Sequence, residues 1–186
     1  MNFNNIKLTK VDKVTILKIN RPKQLNALNR LTIDELNSAL KELKNDKSVK
    51  VIIITGEGDK SFVAGADIKE FAHYSIEEGK NLAKSGQNKL FDFIEQYPKP
   101  VIAAINGFAL GGGLELAMAC HFRLCSKNAR MGLPEVSLGV IPGYGGTQRL
   151  AQLIGKGKAM ELITTAQMID ANTAHDYKLV NYVVEL

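Results

Sequence analysis

The sequence has no tryptophan, and only 6% of its residues are aromatic. A core must therefore come from aliphatic packing. At 186 residues the chain is long enough for this, since a domain of that size buries roughly 70% of the surface its unfolded form exposes. The same length excludes a second full domain, so residues 1–186 are read as a single one. Cysteine is scarce. Cys120 and Cys125 have no second pair, and only His121 stands near them, which excludes a zinc site and a disulfide framework. Both read as buried thiols of a reducing compartment. The opening MNFNNIKLTK lacks a secretory apolar stretch and lacks the Arg-rich character of an organellar presequence, so the expected location is cytoplasmic. No apolar run spans a membrane, because Asn106, three glycines and Glu115 interrupt the stretch from Val101 to Cys120. Low-complexity segments, linkers and close repeats are absent, and so is the basic-aromatic interleaving of a nucleic-acid binder.

What is present is ordinary in bulk: 45% hydrophobic and 23% charged residues, with 24 basic against 19 acidic side chains. The resulting charge of +5 suits an anionic ligand without singling one out. Residues 6–11 and 14–19 alternate around Asp12-Lys13 and predict a hairpin. Thr32 and Glu35 have capping-box spacing ahead of Ile33, Leu36, Leu40 and Leu43, one face of an amphipathic helix. VKVIIIT, residues 49–55, reads as a strand buried on both faces. Ser75 and Glu78 form a second capping box, starting a long helix through Leu82, Leu90 and Ile94 that stops before Pro98. PVIAAI repeats the buried-strand pattern. NGFALGGG reads as a loop, LELAMAC as a helix, HFRLC as a strand and GVIPGYGG as another loop. Helices over 147–154 and in KAMELITTA follow, then a short helix capped by Asp170 and a closing strand in LVNYVVE. The pattern is an α/β core built from strand-strand-helix units.

Three segments carry chemistry. In SFVAGADIKEF, residues 61–71, a strand ends in Ala-Gly-Ala-Asp, whose small residues let backbone approach a ligand; the competing reading is a plain turn with Asp67 capping a helix. In NGFALGGGLELAMAC, residues 106–120, three glycines lead into a helix, leaving unshielded N–H groups able to bind an anion or a developing oxyanion. Glu115 lies one turn into that apolar helix, where burial raises a carboxyl pKa; the competing reading is a capping carboxylate favoured by the helix dipole. GGGLE lacks the Lys and Ser/Thr of a P-loop. In LPEVSLGVIPGYGGTQRL, residues 133–150, Glu135 is again a carboxylate among apolar neighbours; the competing reading is a surface ion pair. Two such carboxylates beside oxyanion donors are suited to acid-base chemistry on an activated carbonyl compound.

AGADIKE, NGFALGGGLE, PEVSLGVIPGYGGTQRL and INRPKQLNAL resemble the crotonase (enoyl-CoA hydratase/isomerase) superfamily along essentially the whole chain, most of all an enoyl-CoA hydratase. The resemblance implies a spiral of strand-strand-helix turns, coenzyme A thioester substrates, and homotrimers that often pair into hexamers. It implies an oxyanion hole from the N–H groups of Ala66 and Gly112, with Glu115 and Glu135 as catalytic carboxylates. It places coenzyme A along Ala64, Ala66 and Ile68, with Lys69 near its phosphates. No metal or other cofactor is implied, coenzyme A being part of the substrate, and neither a nucleic-acid nor a membrane partner is expected. Possession of both glutamates favours hydration of a 2-enoyl-CoA to a 3-hydroxyacyl-CoA. An isomerase or other enolate-handling enzyme is the alternative, and an inactive truncated paralogue binding CoA or RNA the alternative of another class. His121 replaces an Asp common in the family and reads as a solvated or hydrogen-bonded substitution. The family's chain continues beyond the strand at LVNYVVEL with helices that build subunit contacts and cover the acyl-CoA site, so a C-terminally truncated chain is the expectation here.

Overall fold

The hairpin forms where the alternation places it. In the computed structural model, which describes residues 3–185, β1 (Ile6–Val11) pairs antiparallel with β2 (Val14–Ile19), with Val11 opposite Val14 across a turn in which Asp12 takes a positive φ of 51°. The MNFNNIKLTK and LVNYVVEL readings extend at Met1, Asn2 and Leu186 outside the described residues. α1 (Arg30–Asn45) follows, burying Ile33, Leu36, Leu40 and Leu43 on one face. β3 (Val51–Gly56) buries alternate residues only, its other face half-buried, so the expectation of a strand enclosed on both sides is too strong.

From β3 onward the chain winds in repeated turns. β3 leads to β4 (Ser61–Val63); β5 (Val101–Ile105) leads to β6 (Phe108–Leu110); β7 (Phe122–Ser126) leads to β8 (Arg130–Gly132). The first strand of each pair joins a six-stranded sheet of order β1-β2-β3-β5-β7-β10, where β10 is Tyr182–Val184 and only β1 runs antiparallel. The second joins a four-stranded sheet β4-β6-β8-β9, with β9 (Ile169–Asp170) antiparallel to β8. This is the expected spiral of strand-strand-helix turns. The three-residue strands β6 and β8 lie in stretches too short and too glycine-rich to show a period in sequence.

The helices close the turns. α2 (Ile68–Phe71) is one turn long, and Asp67 before it makes no side-chain cap, pairing instead with Arg21 at 2.8 Å. α3 (Ile76–Gly86) starts at the Ser75/Glu78 capping box as expected. It runs through a single π turn at Gln87–Phe91 into α4 (Asp92–Glu95), so the expected long helix is continuous but locally underwound at its middle. α5 (Gly112–Ala119) is buried along its entire length. α6 (Gly146–Ile154), α7 (Lys156–Thr165) and α8 (Ala171–Asp176) complete the set, the last capped by the Asp170 side chain, which accepts from Thr173 N–H at 2.8 Å. Among the described residues no helix is long and apolar enough to cross a membrane.

One local expectation is overturned. Asn29, not Thr32, caps α1: its Oδ1 accepts from the Thr32 N–H at 2.9 Å and from the Thr32 hydroxyl at 2.7 Å. Glu35 does not reach back to its own helix start. Its two carboxylate oxygens accept from the backbone N–H groups of Asn4 and Asn5, both at 2.8 Å, tying the N-terminal segment to α1. A long-range pair of charge-assisted bonds outcompetes the local box. Asn29→Ala is therefore expected to lower the unfolding free energy by about 1–2 kcal/mol, read as a lower urea midpoint at unchanged slope. An unchanged midpoint would return the cap to Thr32.

Candidate active site

β4 and β6 are adjacent and parallel, so the segments leaving their C-terminal ends emerge side by side. After β4 the chain passes through Ala64 to Asp67 alongside Leu28. Leu28 N–H donates to the Gly65 carbonyl at 2.9 Å and Asp67 N–H to the Leu28 carbonyl at 2.7 Å. In such a parallel bridge the N–H of the intervening Ala66 points the other way. After β6, Gly111 turns the chain into α5 with φ 50° and ψ −124°, a conformation that side chains rarely adopt. The N–H of Gly112 is then one of the unpaired donors of a helix start. Neither the Ala66 N–H nor the Gly112 N–H has a partner among the described hydrogen bonds. The two lie close together, since a methyl group placed on Gly112 would stand 3.7 Å from Ala66 N.

Glu135 reaches this point, and Glu115 lies one turn further along α5. Glu135 sits in a short 3₁₀ turn at Pro134–Leu138, and its carboxylate packs over Gly111, where an added Cβ would come within 2.9 Å of Oε1. Among the described residues it has no ion-pair partner, against the surface-pair reading. Its Oε2 is buried and accepts no hydrogen bond, and burial raises its pKa above the usual carboxylate value. Glu115 is 1% exposed. Its Oε1 accepts from the N–H groups of Tyr144 and Gly146, each at 2.8 Å. Desolvation pushes its pKa up to about 7, the two N–H bonds and Arg149 oppose the rise, and the charge of Glu135 adds to it.

The remaining sequence-assigned positions fall on the approach to these groups. Ala64 and Ala66 are half-buried, whereas Ile68 is 50% exposed and Lys69 is exposed at the start of α2. Ala64 N–H donates to the Leu25 carbonyl at 3.1 Å, so this segment borders the loop after β2. A cleft of about 320 Å³ opens there, lined by Lys23, Leu25, Asn26 and Lys60 among others. The two lysines were not singled out in sequence; INRPKQLNAL was notable for its pattern, and only the fold sets Lys23 beside Lys60. Asp67 is occupied by Arg21. His121 is hydrogen-bonded: its Nδ1 accepts from Val101 N–H at 2.9 Å and its backbone N–H donates to the Val101 carbonyl at 2.9 Å. Cys120 and Cys125 are buried free thiols, with pKa values pushed up to about 12 and about 11 by burial. No group of three or more potential metal-ligating side chains occurs among the described residues.

The arrangement thus offers two convergent backbone donors, a buried carboxylate held by two N–H groups, and a second carboxyl with an unpartnered oxygen. The family model described as enoyl-CoA hydratase/isomerase matches residues 9–186. A short-chain-enoyl-CoA hydratase of Clostridium acetobutylicum is 54% identical over 185 residues, covering 100% of this chain and 70% of the relative. A crotonyl-CoA hydratase of Syntrophomonas wolfei is 52% identical, with 71% of its length covered. The crystal structure of an enoyl-CoA hydratase from Bacillus anthracis superposes with a TM-score of 0.94 at 44% identity, over 98% of this chain and 70% of that one. Fold, whole-chain similarity and site residues lead to one placement: the chain belongs to the enoyl-CoA hydratase/isomerase family.

Proposed function

We propose that the site binds a 2-enoyl-CoA and adds water across its 2,3 double bond to give a 3-hydroxyacyl-CoA. The observation that carries this reading is the grouping of Glu135 over Gly111, the neighbouring backbone donors at Ala66 and Gly112, and the buried Glu115 one turn along α5, near enough to feel the charge of Glu135. The thioester carbonyl accepts from those two N–H groups, which stabilise the enolate oxygen as C3 is attacked. Glu115, as carboxylate, takes a proton from water while the water oxygen bonds to C3. Glu135, as acid, delivers a proton to C2 as the enolate collapses. One proton enters the pair and one leaves it, so the carboxyls need only exchange their proton before the next turnover.

Environment supports this division of roles. Two N–H donors on Glu115 favour its ionised form, whereas the unpartnered Oε2 of Glu135 favours a proton there. In the uncovered site desolvation acts more strongly on Glu115. A bound acyl chain covers the still half-buried Glu135 and raises it further. Coenzyme A runs along Ala64, Ala66 and Ile68, its phosphates drawn by Lys69 and by the cleft carrying Lys23 and Lys60. Assembly into a trimer or hexamer in the cytoplasm belongs to the same proposal. It is supported by Val136, Leu138, Val140 and Ile141, large apolar side chains exposed within one segment next to Glu135.

The deciding experiment mixes the purified protein with crotonyl-CoA and, separately, with a 3-enoyl-CoA, and identifies the products. Hydration of the first is expected; double-bond migration in the second without hydration of the first would install the isomerase reading. Glu115→Gln and Glu135→Gln should each lower turnover by about 10²- to 10⁴-fold with substrate affinity largely kept, and the double variant should lose less than the product of the two. In the intact protein kcat/KM should rise with pH through about 7 as Glu115 ionises.

Stability should move the opposite way. A carboxyl whose folded pKa exceeds its unfolded value binds more protons folded than unfolded, so its contribution is present at low pH and lost as pH rises from 4.5 through about 7. Glu115→Gln is therefore expected to be more stable than the parent at pH 8, by about 3 kcal/mol, and no more stable at pH 4. Equal melting temperatures at pH 8 would contradict the buried, proton-holding Glu115. Sedimentation should find an oligomer, and a monomer that binds no apolar dye would remove the assembly proposal.

A further inference from the structure

The catalytic proposal gives no role to Arg149, although few charged residues are so deeply placed. Its side chain is 6% exposed on the first turn of α6. Nη1 donates to the Tyr144 carbonyl at 2.7 Å, and Nη2 donates to Asp92 Oδ1 at 3.0 Å and Glu95 Oε2 at 2.7 Å. The Tyr144 carbonyl belongs to the peptide unit lying between the two N–H groups, of Tyr144 and Gly146, that hold Glu115 Oε1. Fixing the orientation of that middle peptide fixes the aim of both donors.

The surrounding loop is built for this contact. Gly145 has φ 84°, and a Cβ there would collide with Arg149 Nη1, so the guanidinium lies directly against the loop backbone. The Tyr144 ring stacks on Phe91 at 4.4 Å between centroids, and Phe91 closes the π turn that leads into Asp92 and Glu95. Ring and guanidinium thus clamp the loop from two directions. Asp92 and Glu95 side chains are 36% and 48% exposed, so their ion pairs alone stabilise little. The buried bond to the carbonyl is the contact that distinguishes Arg149 from a surface pair.

We propose that Arg149 is a positioning residue for Glu115, locking the Tyr144–Gly146 loop so that both N–H groups stay aimed at the carboxylate and adding a nearby positive charge that keeps it ionised. The role in turnover rests on the reading of Glu115 as the base. The charged and titratable groups facing Glu115 are Glu135, Tyr144 and Arg149, with Asp92 and Glu95 behind the guanidinium; Arg123 and Cys120 lie at the other end of α5, where Arg123 donates to the Cys120 carbonyl at 2.8 Å. Of these only Arg149 is positive at the loop. Losing it removes that charge and loosens the two donors, and both changes make Glu115 hold its proton to higher pH.

The test labels glutamate carboxyl carbons with 13C, assigns Glu115 by the resonance lost in Glu115→Gln, and titrates the protein, Arg149→Lys and Arg149→Met. Arg149→Met is expected to move the Glu115 titration upward by about one pH unit or more. Arg149→Lys, keeping the charge without the fork that spans carbonyl and carboxylates, should show a smaller rise and carries the test if the Met variant does not fold. Turnover of crotonyl-CoA at pH 7 should fall about tenfold in Arg149→Met and recover as pH is raised, with KM little changed. A Glu115 titration unmoved in every folded Arg149 variant overturns the positioning role, whatever the activity. A shifted titration in a protein whose parent form hydrates no enoyl-CoA keeps the positioning role and retires the hydratase reading instead.

Discussion

A carboxylate that is 1% exposed on a helix otherwise made of Gly, Leu, Ala and Met has to be partnered, and α5 itself offers Glu115 nothing. The partners come from a loop some thirty residues downstream. Tyr144 and Gly146 N–H groups both converge on Oε1, and this one requirement accounts for much of the local architecture. It explains why the loop before α6 is short and glycine-rich, why the Tyr144 ring is braced on Phe91, and why a buried arginine stands behind the loop. Glu115 is thereby the stitch between the central helix and the last third of the fold. Its chemistry and its structural role share the same two hydrogen bonds.

The spiral supplies the other half of the site. Each turn lays one strand in the large sheet and one in the small, so consecutive small-sheet strands end side by side and their following loops emerge together. Two buried asparagines hold the corners where the chain changes sheet. Asn106 Oδ1 accepts from Gly56 N–H at 3.1 Å while its Nδ2 donates to the Gly56 carbonyl at 3.0 Å; Asn26 Nδ2 donates to the Ser61 carbonyl at 2.8 Å. These amides serve the backbone groups that a strand switching sheets would otherwise leave unpaired. Rigid corners in turn fix where the Ala66 and Gly112 donors stand.

Elements with their own periodicity or cap were legible in the sequence: the β1–β2 hairpin, the apolar face of α1, the Ser75 capping box and the Asp170 cap all depend on residues within a few positions of one another. Elements defined by distant partners were not. The T-x-x-E spacing at Thr32 and Glu35 was real, but Glu35 is claimed by Asn4 and Asn5, about thirty residues earlier. β6 exists because it lies beside β4 and β8 because it lies beside β6, not because three residues favour a strand. At the site, Glu115 and Glu135 stood out as carboxylates in apolar runs, a local signal. Arg149 looked like any polar residue of an amphipathic helix, and Lys23 and Lys60 like ordinary loop lysines, since only the fold assembles their surroundings.

Several polar groups without partners gather at one place, although among the described residues Thr15 Oγ1, Gln87 Oε1 and Arg149 Nε also lack partners. The Ala66 and Gly112 N–H groups and the Glu135 Oε2 all meet around Gly111 and Gly112, beside a Glu115 whose ionised form is disfavoured by burial. Each buried polar atom without a partner costs about 1–3 kcal/mol, so a fold selected for stability alone has every reason to replace them. Glycine at 111 compounds the cost, because it gives up conformational freedom to let Glu135 lie over the turn. Donors that lack an acceptor, set against a carboxyl able to give a proton and a carboxylate able to take one, become mutually satisfied only when a carbonyl compound and a water molecule occupy the space between them. Under the proposed function these incomplete groups are matched in position and in sign to a reacting thioester.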